Sequence, residues 1–131
     1  MNIERFAPAL GRLLMAVIFL YSGLGKVMDP AGTVAYIQSA GLPQPQVAFV
    51  VTVMVELLGG LALLSGFHAR AAALVLALFS IAAALNFHTN FADQNQLIHF
   101  LKNLAMAGGL LQVYAFGAGA FSMDARRMPS R

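Results

Sequence analysis

The sequence predicts an all-α integral membrane protein: a four-helix bundle with a short interfacial helix between its first two spans. Three observations carry this. Hydrophobic residues make up 60% of the 131 positions and charged residues only 10%, with a mean hydropathy of +0.76, whereas a soluble domain is about one-quarter charged. Residues 47–67, VAFVVTVMVELLGGLALLSGF, form an apolar run broken by a single carboxylate. At ~1.5 Å per residue that run is about 31 Å long, the thickness of a bilayer's hydrocarbon core. Three further apolar stretches flank it, separated by segments rich in turn formers.

Residues 8–27 form the first predicted span, with Pro8 suited to a first helical turn. No small-x-small cleavage site follows its apolar run before Lys26, so the stretch reads as a retained helix rather than a signal peptide. Arg12, Ala16, Phe19, Gly23 and Lys26 recur at alternating steps of four and three and share one face. That face places two cations about 21 Å apart along the axis. Residues 28–46, MDPAGTVAYIQSAGLPQPQ, hold Asp29 as a cap, Pro30 as a first helical residue, and Gly41 and Pro43 as a stop. A short surface helix over 30–40 follows, with Val34 and Ile37 on one side as a lid.

The second span covers 47–67, with Glu56 near its midpoint. A charge there costs roughly 3 kcal/mol on insertion scales, so Glu56 is expected to face protein or water. Thr52, Gly59, Gly60 and Leu63 share its face, and small residues beside an acid allow close approach by a neighbouring helix. Counting inward from the helix ends makes Arg12 the expected partner of Glu56 and leaves Lys26 toward the opposite surface. The third span, 71–87, is rich in alanine, which favours close helix packing. The polar loop HTNFADQNQLIH carries His88, Asp93 and His99, and the fourth span covers 100–121 with Lys102 and Asn103 near its start.

Four spans place both termini on one side. Arg5, Arg12, Arg70, Arg126, Arg127 and Arg131 fall on that side, against Lys26 and Lys102 opposite. The positive-inside rule then makes both termini cytoplasmic. The formal charge of +3 is scattered among helix ends with no basic stripe, which argues against nucleic acid. The chain has no cysteine, which excludes disulfides, thiolate metal sites and iron–sulfur clusters. His88 and His99 can approach one another, but no HxxxH or HExxH spacing occurs, so neither haem nor zinc is assigned. GxGxxG, P-loop and GxSxG motifs are absent, and no catalytic residue is assigned. The candidate ligand-binding set is Glu56, Arg12, Lys26, Lys102, Asn103 and His88, because ionisable groups inside spans mark functional sites.

A run of short motifs completes the reading: an Arg entering span one, SGLGK closing it, DPAGTVAYIQSAGLP after it, VELLGG within span two and GFHAR at the turn. NFH ends span three, KNLAMAGGLL lies in span four and FSMDARR in the tail. In these the whole chain, residues 1–131 as one domain, resembles the DoxX family of small bacterial and archaeal membrane proteins, close to its inner-membrane YphA-like group. The family takes its name from a small subunit associated with quinol-oxidising complexes. The resemblance therefore implies a redox-accessory subunit that binds a quinone or similar small amphiphile beside a redox partner. Family polar positions carry over to Arg12, Lys26, Glu56, His88, Lys102 and Asn103 as positions. Transport of a small metabolite or proton by a homodimer, and a structural or assembly subunit without its own ligand, are the alternative expectations. Membrane lipid is an expected partner in each case.

Overall fold

Asp29 closes one helix and opens the next, with no other residue between them. The computed structural model describes residues 2–127 and, among them, six helices and no strand. Helix α1 (Ile3–Met28) starts at Asn2, whose side chain accepts from the Glu4 N–H. It stops where the Asp29 N–H bonds back to the carbonyls of Gly25 and Lys26. The Asp29 carboxylate then accepts from the Gly32 N–H and caps α2 (Pro30–Ser39), with Pro30 in its first turn. Gly41, at φ +82°, turns the chain toward α3 (Pro45–Ser65).

Helix α3 ends in a Schellman motif at Gly66, φ +71°, with Phe67 N–H on Ala62 O and Gly66 N–H on Leu63 O. Helix α4 (Ala69–Phe87), α5 (Gln94–Phe116) and the short α6 (Met123–Arg127) follow. The long helices pack in the order α1, α3, α4, α5, with α1 and α5 touching more sparsely. One such touch is Met15 Sδ against Gly109.

The interior is made of small residues. Ala16, Ala73, Ala77, Ala84 and Ala107 are buried with Gly23 and Gly60, alongside Leu63, Leu76 and Leu110. Large aliphatics point outward instead: Leu14 is 65% exposed, Leu58 56% and Leu78 59%. Small residues inside let helix backbones approach, and an apolar exterior suits a lipid solvent. Three helices, α1, α3 and α4, are long and apolar enough to cross a membrane. Helix α5 has the length, but its first half carries Gln94, Asn95, Gln96, His99, Lys102 and Asn103. The expected fourth span therefore differs in character from the other three. It also begins earlier and ends earlier than 100–121, because Gly117 and Gly119, both at φ +87°, break the helix after Phe116.

Helix α2 lies against α3, with Ile37 buried and Val34 half-buried. Tyr36 stacks on Phe87, ring centroids 5.3 Å apart and planes 16° off parallel, so the short helix is fastened to the end of α4.

Candidate functional site

The register between α1 and α3 comes from two glycines. A Cβ on Gly23 would lie 2.8–2.9 Å from the Leu57 side chain and 3.1 Å from Glu56 Cβ, and one on Gly60 would lie 2.9 Å from Leu20. These close approaches put Glu56 level with Gly23. Lys26 is then one turn away on the same face, and its Nζ lies 3.0 Å from both Glu56 carboxylate oxygens. The ammonium also donates to Ser22 Oγ at 2.7 Å, and the Ser22 hydroxyl donates to Glu56 Oε1 at 3.3 Å. Glu56 is buried, while the Lys26 side chain keeps 25% of its exposure.

This overturns the expected pairing of Glu56 with Arg12. Relative to the level of Glu56, Arg12 is about eleven residues, ~16 Å, further along α1. The count from helix ends assumed that α1 and α3 begin and end at matching levels. Helix α3 instead projects past the end of α1, and α2 crosses that overhang.

Arg12, only 2% exposed, serves the other end of the bundle. Its Nη1 donates to Leu63 O at 2.9 Å and Leu64 O at 3.0 Å, its Nε to Ala118 O at 2.9 Å, and its Nη2 to Phe121 O. Leu63 and Leu64 carry carbonyls of the last turn of α3, which bear the negative end of the helix dipole; Leu63 O also accepts from the Gly66 N–H at 3.3 Å. Ala118 and Phe121 have free carbonyls because the chain has left the helix at Gly117. Asp124 completes this corner by accepting from the N–H groups of His68 at 2.7 Å and Ala69 at 2.8 Å, capping α4 from a distant segment. Arg131, counted among the termini-side cations, lies outside the described residues.

Around the Lys26–Glu56 pair the helices leave a cleft of about 630 Å³. Of the six residues singled out in the sequence, Glu56, Lys26, Lys102, Asn103 and His88 line it, and Arg12 does not. Its walls are largely apolar, with Phe19, Val51, Phe79 and Met106 among them, and α2 contributes Tyr36 and Ile37. Such a volume, with few polar groups in an apolar lining, is typical of small-molecule sites. Asn103 is partly committed already, since its amide N–H donates to His99 O at 2.9 Å. His99 was not singled out as a ligand residue, yet it lines the cleft and stacks on His88 with centroids 5.1 Å apart. Burial, and then the neighbouring His99, lower the pKa of His88 from its ordinary 6.5. Ser22 was also overlooked; its position one turn before Lys26 on the same face was the available signal.

No group of three or more potential metal ligands occurs among the described residues. The Lys26–Glu56 pair is a charged patch in an otherwise largely apolar lining.

Comparison with known proteins adds the relationship. The family model described as DoxX matches residues 7–89, which run from α1 through the end of α4. The chain is 38% identical over 123 residues to the inner membrane protein YqjF of Escherichia coli (strain K12), covering 94% of this chain and 93% of that protein. It is 31% identical over 122 residues to the inner membrane protein YphA of the same organism, covering 89% and 87%. No solved structure gives a significant match.

Proposed function

The chain belongs to the DoxX family, and from that premise we propose that it is a bacterial inner-membrane protein whose cleft binds a small amphiphile, of which a quinone is the leading candidate. The observation that carries this reading is the Lys26–Glu56 ion pair at the floor of an apolar-walled cleft of about 630 Å³. Ionisable groups within spanning helices are costly and are kept where they serve a ligand or an ion path. Helices α1, α3, α4 and α5 cross the membrane in this reading, with the polar half of α5 turned to the cleft. Both termini are cytoplasmic and the cleft opens toward the outer surface. Helix α2 covers the opening, held by Tyr36 on Phe87.

The ligand's head sits near Glu56 and Lys102, and its tail follows the apolar wall toward the lipid. The protein then acts as an accessory that presents the ligand to a redox partner. Native mass spectrometry with lipid and quinone extraction, on wild type and Glu56→Gln purified from the same membranes, tests this. A quinone or other amphiphile held by wild type and lost from the variant is expected. Empty protein in both, with a copurifying partner, would point to an assembly subunit instead.

A further inference from the structure

Lys26 has three N–H groups, and three acceptors already face them: Ser22 Oγ and both oxygens of Glu56. The pair is neutral as a unit, and its ammonium has no donor left for a ligand. The amides of Asn86 and Asn103 each commit one of their two N–H donors, to Ala82 O at 2.7 Å and His99 O at 2.9 Å, and the Thr33 hydroxyl donates to Asp29 O at 2.8 Å. Among the described residues, Lys102 lines the cleft with no carboxylate within salt-bridge distance. It is the cleft's uncompensated formal charge. Beside it stand the stacked rings of His88 and His99, which bring ring N–H donors to the same wall. The cleft's carboxylate, Glu56, is already neutralised by Lys26, so no unpaired negative charge faces a cationic head.

From this donor census we propose that the cleft selects acidic amphiphiles, with Lys102 anchoring a single ionised oxygen on the ligand's head and His88 and His99 donating beside it. The proposal rests on the ligand-binding reading above and narrows its substrate class. The recognised chemistry is one ionised oxygen on an apolar tail, which either a long-chain carboxylate or an ionised hydroxyquinone supplies. A neutral quinone or an ester offers only a carbonyl acceptor to the same ammonium. The ammonium's bond is charge-assisted with either head, but only an ionised oxygen adds the attraction of a full opposite charge, worth about tenfold in affinity where the cleft is partly desolvated.

The test uses the full chain in phosphatidylcholine nanodiscs, with empty nanodiscs as the partition control. The fluorescent probe 11-(dansylamino)undecanoic acid and its methyl ester are titrated against wild type, Lys102→Met and Lys102→Arg. An alkylated 2-hydroxy-1,4-naphthoquinone and a short-chain neutral ubiquinone then compete for the site. The acid is expected to bind wild type about tenfold or more tighter than the ester, and Lys102→Met to abolish that difference, so that acid and ester bind the variant within about twofold of one another. Lys102→Arg keeps the advantage. Competition by the carboxylate or by the hydroxynaphthoquinone tells which source of the ionised oxygen is preferred.

Equal binding of acid, ester and neutral quinone, unchanged in Lys102→Met, would overturn the charge selection and leave the binding reading standing. No saturable binding of any of the four would sink both. Lys102 is exposed and its side chain makes no hydrogen bond among the described residues, so its replacement strands no buried group; thermal melting of each variant confirms that it folds.

Discussion

Lys26 and Glu56 meet because Gly23, one turn before the lysine, lets α3 come close enough for its Glu56 Cβ to lie 3.1 Å from where a Gly23 Cβ would stand. Shape and charge are thus coupled at one point of the α1–α3 seam. Removing either partner strands the other. Lys26→Met is expected to destabilise the protein by about 3 kcal/mol, toward the lower end for breaking a buried pair because the lysine is partly exposed. Lys26→Met combined with Glu56→Leu should recover most of that loss. Thermal melting of the two variants and the wild type in one detergent checks both statements.

Gly23→Ala tests the geometry without touching charge. The new methyl group meets Leu57 side-chain atoms at 2.8 and 2.9 Å, which is overpacking. A loss of about 1–3 kcal/mol is expected. Gly25→Ala, where a Cβ meets nothing within 4 Å, should be neutral or slightly stabilising in the same melt because alanine is the better helix former.

The Arg12 corner holds the end of the chain to the bundle. Arg12→Met leaves carbonyls of Leu63, Ala118 and Phe121 without their shared donor, and Arg12→Lys cannot reproduce a planar guanidinium that donates in several directions. Both are expected to expose residues 117–127 to limited proteolysis, with methionine the more severe. Asp124→Ala removes the distant cap on α4 and is expected to cost about 1 kcal/mol and to give the same cleavage more weakly.

His88 supplies the pH dependence. Its pKa is lowered in the folded protein by burial, then by His99, so the unfolded chain takes up this proton at a higher pH than the folded one. Stability contributed by neutral His88 is therefore present above about pH 6.5 and falls as the pH drops below it, levelling once the folded form is protonated too. Lys26 and Glu56 line the same cleft as a neutral pair, and His99 and Lys102 line it with them. Melting temperatures taken from about pH 8 to about pH 5 should fall more steeply for wild type than for His88→Gln.

Much of this molecule is written in local pattern. The apolar runs, the prolines and glycines between them and the Asp29–Pro30 corner sufficed to place an all-helical chain with a short helix after the first long one, because helix period and capping depend on near neighbours. The residue types of the polar centre were legible for the same reason: an acid in the middle of an apolar run needs a partner whatever the packing. The identity of that partner was not. It depends on how far α3 slides along α1, which Gly23 against Leu57 and Gly60 against Leu20 decide by contacts between segments far apart in sequence.

Arg12 and Lys26 lie on the same stripe of α1 and look equivalent along the chain, yet one closes the end of α3 and the other neutralises Glu56. The loss of helix after Phe116 and the consequent release of the Ala118 and Phe121 carbonyls are likewise tertiary facts, fastened by a guanidinium from the first helix. Composition and period thus determined the class of protein and its inventory of charges. Only the close packing of helices, where a single methyl group sets the register, decided which charges meet and which are left facing the cleft.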